Sequence, residues 1–192
     1  KRQEICFACK INLNNSSKYR NFKICAECNF HFHIPAKERI NLIIDRGTFK
    51  EINKNLSSNF EQIAQEELEN YDEKIKSDQF RTGLNEAVVT GTAKINGEDI
   101  IIIALDFGFL GGSMGLIVGE KVALAYELAS KKNLPAITII NSGGSRIQEG
   151  VISLMQMSKT VSSANLLKNS NIPMITIPVS YTHLTLPTSK IV

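Results

Sequence analysis

The alternation of apolar and polar residues in the middle of the chain predicts a β-hairpin. Residues 87–95 alternate between apolar and small or polar side chains, as expected for a half-buried strand. The dipeptide Asn96-Gly97 follows and favours a two-residue hairpin turn. Residues 100–106 form an almost continuous apolar run, which is typical of a strand buried on both faces.

Helical and apolar segments alternate after this hairpin. A helix is predicted over residues 114–132, with Ser113 as its N-cap, and a strand follows at residues 136–140. A second long helix runs to about Lys168, and residues 174–179 form another short strand. This order indicates an α/β domain built of strand–loop–helix units.

Two further helical regions are predicted before the hairpin. Residues 36–45 place Ile40, Ile43 and Ile44 on one face of a helix. Residues 60–80 are strongly charged and have few apolar positions, which indicates a surface helix or helix pair. No internal repeat or low-complexity stretch is present in the chain.

The four cysteines of the chain lie near its N-terminus in the spacing C-x2-C-x15-C-x2-C: Cys6, Cys9, Cys25 and Cys28. Each C-x2-C pair places two thiolates on a tight turn, and two such turns complete a tetrahedral sulfur site. The pattern predicts a C4 zinc ribbon over residues 1–34, in which one structural Zn²⁺ supplies most of the stability. Because four thiolates saturate the metal, His31 and His33 are predicted to be non-ligands.

The charge distribution leaves a second class of function open. The 192 residues carry a net charge of +3. Residues 1–40 hold eight Lys or Arg and three Glu, a balance of +5, whereas the rest holds 14 basic and 16 acidic residues, a balance of −2. This basic balance and nearby aromatic residues are compatible with nucleic-acid binding, although such residues also pack the small cores of ribbons. The aromatic residues are Phe7, Tyr19, Phe22, Phe30 and Phe32.

The remaining composition narrows the class of protein. Apolar residues make up 43% of the chain, which is enough for a buried core. No apolar run approaches the roughly eighteen residues of a membrane span. One four-cysteine cluster without further cysteines favours a reducing compartment.

Two glycine-rich segments, residues 107–115 and residues 141–146, each lie between a predicted strand and a predicted helix. In α/β folds, ligands bind where such loops follow the carboxyl ends of strands. The helix N-terminus adds unpaired N–H groups that can hold a phosphate or an oxyanion. Either loop alone is also compatible with a tight structural turn, but two in tandem favour a ligand site.

The same region is poor in side-chain nucleophiles. The cysteines are assigned to zinc, and the three histidines lie outside both glycine-rich segments. Ser142 and Ser145 lack a G-x-S-x-G nucleophile elbow. Arg146 and Glu149 fit a local ion pair, and Arg146 also fits contact with an anionic ligand. The pattern therefore favours catalysis by backbone donors.

Four segments in this order carry a resemblance to a known family. They are the cysteine pattern, residues 107–115 (FGFLGGSMG), residues 142–149 (SGGSRIQE) and residues 153–157 (SLMQM). From about residue 5 to about residue 179, the chain resembles the β subunits of bacterial and plastid acetyl-CoA carboxylase carboxyltransferase. The resemblance implies an α/β fold of the crotonase-like (ClpP/crotonase) kind, built of ββα units, over residues 35–179. It also implies transfer of a carboxyl group from carboxybiotin to acetyl-CoA, which forms malonyl-CoA in the first committed step of fatty acid synthesis.

The resemblance implies roles for single residues as well. Gly143 and Gly144 are the expected backbone donors of an oxyanion hole. Gly111, Gly112 and Arg146 are the weaker candidates for the acyl-CoA side. The protein would then act mainly by alignment and by oxyanion stabilisation.

The implied partners are those of a multi-subunit, ATP-binding complex. They are the carboxyltransferase α subunit in an α2β2 heterotetramer, biotin carboxyl carrier protein with its biotin, and biotin carboxylase. The implied location is the bacterial cytoplasm or the plastid stroma. The alternatives are another biotin-dependent acyl-CoA carboxylase or decarboxylase, and a zinc-ribbon protein that binds nucleic acid; nucleic-acid binding also fits as a secondary activity of the ribbon.

The last residues depart from the family pattern. Residues 180–192 contain no glycine and match no turn pattern, where the family has a further glycine-rich ligand loop. We interpret them as a divergent, non-native tail, and we expect the crotonase-like domain to be incomplete.

Overall fold

The computed structural model describes residues 4–56 and 65–181, and the chain divides into two compact units. The first unit ends at Pro35 and the second begins at Ala36. Almost all of the predicted tail lies outside the described residues. Within them, no helix is both long enough and apolar enough to cross a membrane.

The N-terminal unit consists of two cysteine turns and one short helix, α1 (Ser17–Phe22). Ser16 caps this helix, and its Oγ accepts a hydrogen bond from the Tyr19 N–H at 3.1 Å. Leu13 is buried, and the Tyr19 ring packs edge-on against Phe32 with 5.1 Å between ring centroids. The segment between the cysteine pairs therefore contributes to the small core, which its polar sequence does not reveal.

The second unit begins with two helices and a short strand: α2 (Ala36–Ile43), β1 (Lys50–Ile52) and α3 (Gln65–Thr82). Helix α2 confirms the first predicted helix and buries Ile40, but it ends at Ile43, and Ile43 is exposed rather than part of a buried face. Strand β1 was not predicted, because three residues are too few to show an alternating pattern. Helix α3 confirms the charged helix within the described residues, but it is not purely a surface helix, since Tyr71 is buried.

Within the described residues, five strands form one mixed sheet. The remaining four are β2 (Val88–Ile95), β3 (Glu98–Leu105), β4 (Ala136–Ser142) and β5 (Met174–Tyr181). Their order in the sheet is their order in the chain. The β1–β2 and β2–β3 pairs are antiparallel, whereas the β3–β4 and β4–β5 pairs are parallel. All four predicted strands are confirmed, with small shifts at their ends.

The turn between β2 and β3 is the predicted two-residue turn. Asn96 and Gly97 both have positive φ, 52° and 85°, as a hairpin turn matched to the strand twist requires. The Asp45 carboxylate accepts hydrogen bonds from both of their N–H groups, at 3.0 and 2.7 Å. This contact fixes the hairpin to the residues that follow α2.

Two helices connect the parallel strands: α4 (Leu116–Lys132) and α5 (Gly150–Asn169). Helices α2 and α4 both pack on β2 and β3, and α4 also packs on α5. Every residue from Ile100 to Leu105 on β3 is at most 4% exposed, which means that both faces of this strand are covered. The continuous apolar run predicted this burial correctly.

The starts of both connecting helices differ from the sequence prediction. Helix α4 begins at Leu116 after Gly115, so Ser113 is not its N-cap. Instead, the Ser113 Oγ accepts a hydrogen bond from the Arg146 Nε at 3.2 Å. A short 3-10 turn separates Arg146 from α5, which begins at Gly150.

The parallel pairing of β3 with β4 decides where the glycine-rich segments lie. Ala104, next to the last residue of β3, pairs with Ile139 in the middle of β4, and the two strands run in the same direction. The first glycine loop (residues 107–115) and the second glycine loop (residues 141–146) therefore leave the sheet at the same edge, where ligands bind in α/β folds.

Candidate functional site

The two glycine loops are joined by backbone hydrogen bonds. The Gly143 N–H donates to the Gly111 carbonyl at 2.7 Å, and the Met114 N–H donates to the Gly144 carbonyl at 2.8 Å. The Arg146 N–H donates to the Met114 carbonyl at 2.9 Å. The loops thus form one short parallel pairing and act as a single structural unit.

This pairing distinguishes the two predicted oxyanion donors. The Gly143 N–H is bound to a backbone carbonyl and helps to hold the loops together. The Gly144 N–H donates to the Ser142 Oγ at 3.2 Å, and only rotation of the Ser142 side chain about χ1 would move this acceptor away. Gly144 has a φ of 118°, and a Cβ built on it meets no atom within 4 Å. Gly143 is exposed and Gly144 is buried, so the two residues differ both in exposure and in the acceptor that their N–H groups bind.

Gly112 has a packing role. A Cβ on this buried residue would lie 2.1 Å from the carbonyl oxygen of Asn141, and its φ is 65°. The second glycine loop can approach the first this closely only where a side chain is missing. Gly112 therefore contacts protein backbone, whereas Gly111 is half-buried and accepts the Gly143 hydrogen bond. Gly112 is buried against the second glycine loop, and its place on the acyl-CoA side stays a prediction.

Replacing Gly112 by alanine is expected to destabilise the second unit by about 2–5 kcal/mol. This sum combines roughly 1–3 kcal/mol for overpacking with roughly 1–2 kcal/mol for a Cβ in the left-handed region. Gly111→Ala is the matched control, because Gly111 has a φ of 66° but its Cβ would meet only Phe107 at 4.0 Å. Urea unfolding should show a clearly lower midpoint for Gly112→Ala than for Gly111→Ala; equal midpoints would contradict the close approach.

Arg146 is the centre of a buried polar group behind the loops, which we call the Arg146 cluster: Tyr71, Glu86, Arg146 and Glu149. The Arg146 side chain is 1% exposed. Its Nη2 lies 2.7 Å from Glu86 Oε1, and its Nη1 lies 3.2 Å from Glu149 Oε1 and 2.9 Å from the Tyr71 hydroxyl. Burial opposes the charged form, but the hydrogen bond and charge of Glu86 outweigh burial and raise the pKa of Arg146.

The cluster decides between the two roles considered for Arg146. The local ion pair with Glu149 is present. The guanidinium is directed inward to carboxylates rather than to a ligand on the outer side of the loops. The prediction that Arg146 binds acyl-CoA is therefore not supported by its position, because its charge is neutralised inside the protein.

Glu149 occupies the N-terminus of α4. One carboxylate oxygen, Oε2, accepts a hydrogen bond from the Leu116 N–H, and the other, Oε1, accepts one from the Tyr71 hydroxyl at 2.5 Å. A carboxylate at this position also interacts favourably with the helix dipole. The protein's own side chain thus occupies one of the two helix N-termini that the sequence suggested for a ligand.

Helix α3 contacts the first glycine loop. The Asp78 Oδ2 accepts a hydrogen bond from the Leu110 N–H at 2.7 Å, and the Arg81 Nη2 donates to the Gly108 carbonyl. Sequence reasoning missed Tyr71, Asp78 and Glu86 as site residues. Tyr71 was visible as an apolar position on a charged helix, but no local signal connects these residues to loops far along the chain.

The four cysteine sulfurs lie close enough together to hold a metal ion. Their Sγ atoms all lie within 4.8 Å of one another. The Cys6–Cys28 and Cys9–Cys25 sulfur pairs are each separated by 3.6 Å. A tetrahedral zinc with Zn–S bonds of about 2.3 Å would give sulfur separations of about 3.8 Å, so the residues present fit such an ion. Within the described residues, this cluster contains no histidine, in line with the predicted non-ligand role of His31 and His33.

The two cysteine turns share one geometry. The residue after each second cysteine, Lys10 and Asn29, has positive φ, 60° and 58°. The Cys9 N–H lowers the pKa of Cys6 to about 6 by donating to its sulfur, and the Cys28 N–H lowers the pKa of Cys25 in the same way. These donors favour the thiolates of Cys6 and Cys25, and a thiolate is the form that binds a metal. For Cys9 and Cys28, the hydrogen bonds from Ile11 and Phe30 are outweighed by burial and the neighbouring sulfurs, which raise the pKa.

Comparison with known protein families matches residues 35–180 to the carboxyl transferase domain. The chain belongs to the carboxyl transferase family. The matched region contains both glycine loops and the Arg146 cluster. It begins where the N-terminal unit ends.

Curated relatives extend the similarity over the cysteine unit. The acetyl-coenzyme A carboxylase carboxyl transferase subunit beta of Fusobacterium nucleatum is 41% identical over 181 residues, which cover 92% of this chain and 57% of the relative. The chloroplastic subunit beta of Pyropia yezoensis is 38% identical over 177 residues, which cover 92% of this chain and 61% of the relative. The chain thus spans 57% and 61% of the lengths of these two relatives.

Solved structures confirm the coarse fold prediction, a mixed α/β carboxyl transferase domain. A structure of transcarboxylase 12S with methylmalonyl-coenzyme A and methylmalonic acid bound is 27% identical, with a TM-score of 0.60 over 76% of this chain and 26% of that chain. A Pseudomonas malonate decarboxylase heterodimer is 21% identical, with a TM-score of 0.54 over 74% of this chain and 51% of that chain. The second likeness concerns the fold alone.

A small cavity lies inside the second unit. It is next to Met114 and Tyr126 and measures only about 20 Å³, which is room for one water molecule. An acyl-CoA cannot enter this space. Five exposed apolar side chains lie within or shortly after the glycine loops: Phe107, Ile147, Val151, Leu154 and Met155.

Proposed function

We propose that this chain is the β-subunit part of an acetyl-CoA carboxylase carboxyltransferase. The enzyme would move a carboxyl group from carboxybiotin to acetyl-CoA and form malonyl-CoA, the first committed step of fatty acid synthesis. The observation that carries the proposal is the pairing of two glycine loops at one sheet edge of a carboxyl transferase domain. The names of the bacterial and chloroplastic relatives support it.

The proposed reaction needs a stabilised oxyanion rather than a side-chain nucleophile. Negative charge develops on the thioester oxygen when acetyl-CoA loses its α-proton, and on the biotin oxygen when the carboxyl group leaves. Biotin on the carrier protein supplies the carboxyl group and the base. We assign Gly143 and Gly144 as the candidate N–H donors to one of these oxygens, and removal of such a donor costs about 10²–10³-fold in rate.

Gly111 remains our candidate for the acyl-CoA side. It is half-buried in the first glycine loop, and its carbonyl is fixed by the Gly143 hydrogen bond. Gly112 and Arg146 would support this surface from within rather than touch the ligand. Neither the described residues nor the relatives support ATP binding by this chain itself.

We propose that Cys6, Cys9, Cys25 and Cys28 hold one structural Zn²⁺. Four sulfur ligands saturate a tetrahedral ion, so the centre has no open position for catalysis. The ion would stabilise the N-terminal unit, whose buried hydrophobic cluster within the described residues is small.

The proposed partners follow from the same function. They are the carboxyltransferase α subunit, in an α2β2 assembly, together with biotin carboxyl carrier protein and biotin carboxylase. Exposed apolar side chains around the loops, such as Ile147 at 89% and Val151 at 67%, support a protein partner at this surface. The crotonase-like ββα repeat and a location in the cytoplasm or the plastid stroma belong to the same proposal.

One alternative has specific support. The likeness to a transcarboxylase with methylmalonyl-coenzyme A bound favours a biotin-dependent enzyme for another acyl-CoA. The four-cysteine unit and the similarity to an acetyl-coenzyme A carboxylase carboxyl transferase subunit beta over 92% of the chain favour acetyl-CoA as the substrate. Comparison of malonyl-CoA with methylmalonyl-CoA as substrate would distinguish them.

The proposal is tested in the reverse direction. The zinc-loaded protein, assembled with an α subunit, should convert malonyl-CoA to acetyl-CoA only when free biotin is present. Absence of biotin-dependent conversion from the assembled complex would contradict the proposed function.

Gly144→Val is expected to lower the rate of this conversion by about 10²–10³-fold. A valine backbone does not adopt a φ of 118°, so the N–H at this position would turn away from the oxygen that it stabilises. Gly97→Val is the matched control: Gly97 also has positive φ, 85°, and open space, but it lies in the β2–β3 turn. Zinc content should be unchanged in both variants. A Gly144→Val enzyme as active as Gly97→Val would remove Gly144 from the site.

A further inference from the structure

Helix α3 contacts both glycine loops from one of its faces. Tyr71, Asp78 and Arg81 are seven and then three residues apart, so they lie along the same side of the helix. Asp78 and Arg81 bind the first glycine loop, at Leu110 and Gly108. Tyr71 binds the other members of the Arg146 cluster, Arg146 and Glu149, behind the second glycine loop.

The contact at Leu110 holds a strained backbone position. Leu110 has a φ of 44°, a left-handed conformation that is unfavourable for a residue with a Cβ atom. The Asp78 carboxylate accepts the Leu110 N–H and is itself paired with Arg81. The helix therefore supplies the hydrogen bond that favours this conformation next to Gly111.

The Tyr71 hydroxyl is linked by two hydrogen bonds to Arg146 of the second glycine loop and to Glu149 after it. The Tyr71 hydroxyl donates to Glu149, which accepts the first N–H of α4, and it accepts a hydrogen bond from Arg146. The backbone of Arg146 is in turn bound to Met114 in the first loop. A single hydroxyl group thus lies between α3 and the pairing that places Gly144.

We propose that α3 is a positioning element for the oxyanion site, with Tyr71 and Asp78 as its positioning residues. Because α3 is a regular helix, the separation of its contacts with the two loops is fixed, and the loops are held in one relative arrangement. The effect on catalysis rests on the proposed carboxyltransferase function. The effect on the loop backbone does not depend on it.

Hydrogen exchange of the full chain tests the proposal directly. Tyr71→Phe removes only the hydroxyl, and Asp78→Ala removes the acceptor for Leu110. We expect exchange at least about tenfold faster at the Leu116 amide in the first variant and at the Leu110 amide in the second, with amides of β3 unchanged. Asp78→Asn keeps an acceptor oxygen and should restore slow exchange at Leu110.

Lys76→Gln is the matched control on the same helix, since Lys76 is exposed and its ion-pair partner, Asp72, is exposed as well. If the loop amides exchange equally fast in Tyr71→Phe, Asp78→Ala and Lys76→Gln, the proposal is overturned. Uniformly faster exchange, including β3, would also overturn it, because α3 would then serve general stability.

Kinetics of the assembled enzyme separate positioning from binding. Tyr71→Phe should lower kcat about tenfold, the effect of one lost hydrogen bond to a charged group, and leave the KM for malonyl-CoA unchanged. A change confined to KM would contradict positioning. If the wild-type chain transfers no carboxyl group, the proposed function fails, while the exchange comparison still decides whether α3 positions the loops.

Discussion

Replacing Arg146 by methionine is expected to lower the free energy of unfolding of the second unit by about 3–5 kcal/mol, the usual cost of removing one partner from a buried ion pair. Arg146 is 1% exposed and binds the carboxylates of Glu86 and Glu149. Methionine occupies a similar volume but leaves both carboxylates buried without their cation. Urea unfolding followed by circular dichroism would show the loss as a lower midpoint.

Two variants control this result. Lys76→Met removes the cation of the exposed pair with Asp72 and should leave the midpoint close to that of the wild type. Combining Arg146→Met with Glu86→Gln and Glu149→Gln should recover part of the loss, because the unpaired charges are removed as well. A wild-type midpoint for Arg146→Met alone would show that the cluster does not hold the loops together.

Replacing Cys25 by serine is expected to remove the metal and unfold the N-terminal unit. Structural zinc contributes roughly 10–16 kcal/mol in small finger peptides, far more than a unit of this size can compensate. Cys25 is a fully buried member of the four-cysteine cluster, so replacing its sulfur by a water ligand would require rearrangement. Zinc analysis and limited proteolysis of residues 1–35 measure the effect.

His31→Ala is the control for this experiment, because His31 follows the last cysteine but belongs to no metal cluster within the described residues. It should keep one zinc per chain and remain resistant to proteolysis. A Cys25→Ser protein that retains zinc and resistance would show that the four cysteines are not the ligand set that we propose. The second unit should stay folded in both variants.

Much of the fold could be predicted from local sequence patterns. The alternation before Asn96-Gly97, and the apolar run after it, identify the β2–β3 hairpin because register and turn type are set by adjacent residues. The cysteine spacing identifies the four-cysteine cluster, because each C-x2-C pair forms its own local turn. Both glycine loops could be located between a strand and a helix. At each transition there are glycines, and the spacing of apolar residues changes from that of a strand to that of a helix.

The interior of the site could not be predicted in this way. Tyr71 and Glu86 lie 75 and 60 residues before Arg146, and only the tertiary fold brings them together. Without these partners, Arg146 resembled a ligand-binding cation. Likewise, Gly143 resembled a free donor, because the carbonyl that occupies its N–H comes from the other loop. Short elements such as α1 and β1 were missed because few residues carry their pattern.

The most direct test of the central claim follows the carboxyl group itself. Malonyl-CoA labelled in its free carboxyl group is incubated with biotin and the zinc-loaded chain assembled with an α subunit. The proposed carboxyltransferase should transfer the label to biotin, leave unlabelled acetyl-CoA, and lose this transfer in Gly144→Val. Label released only as CO2, whether or not biotin is present, would contradict the account and indicate a decarboxylase.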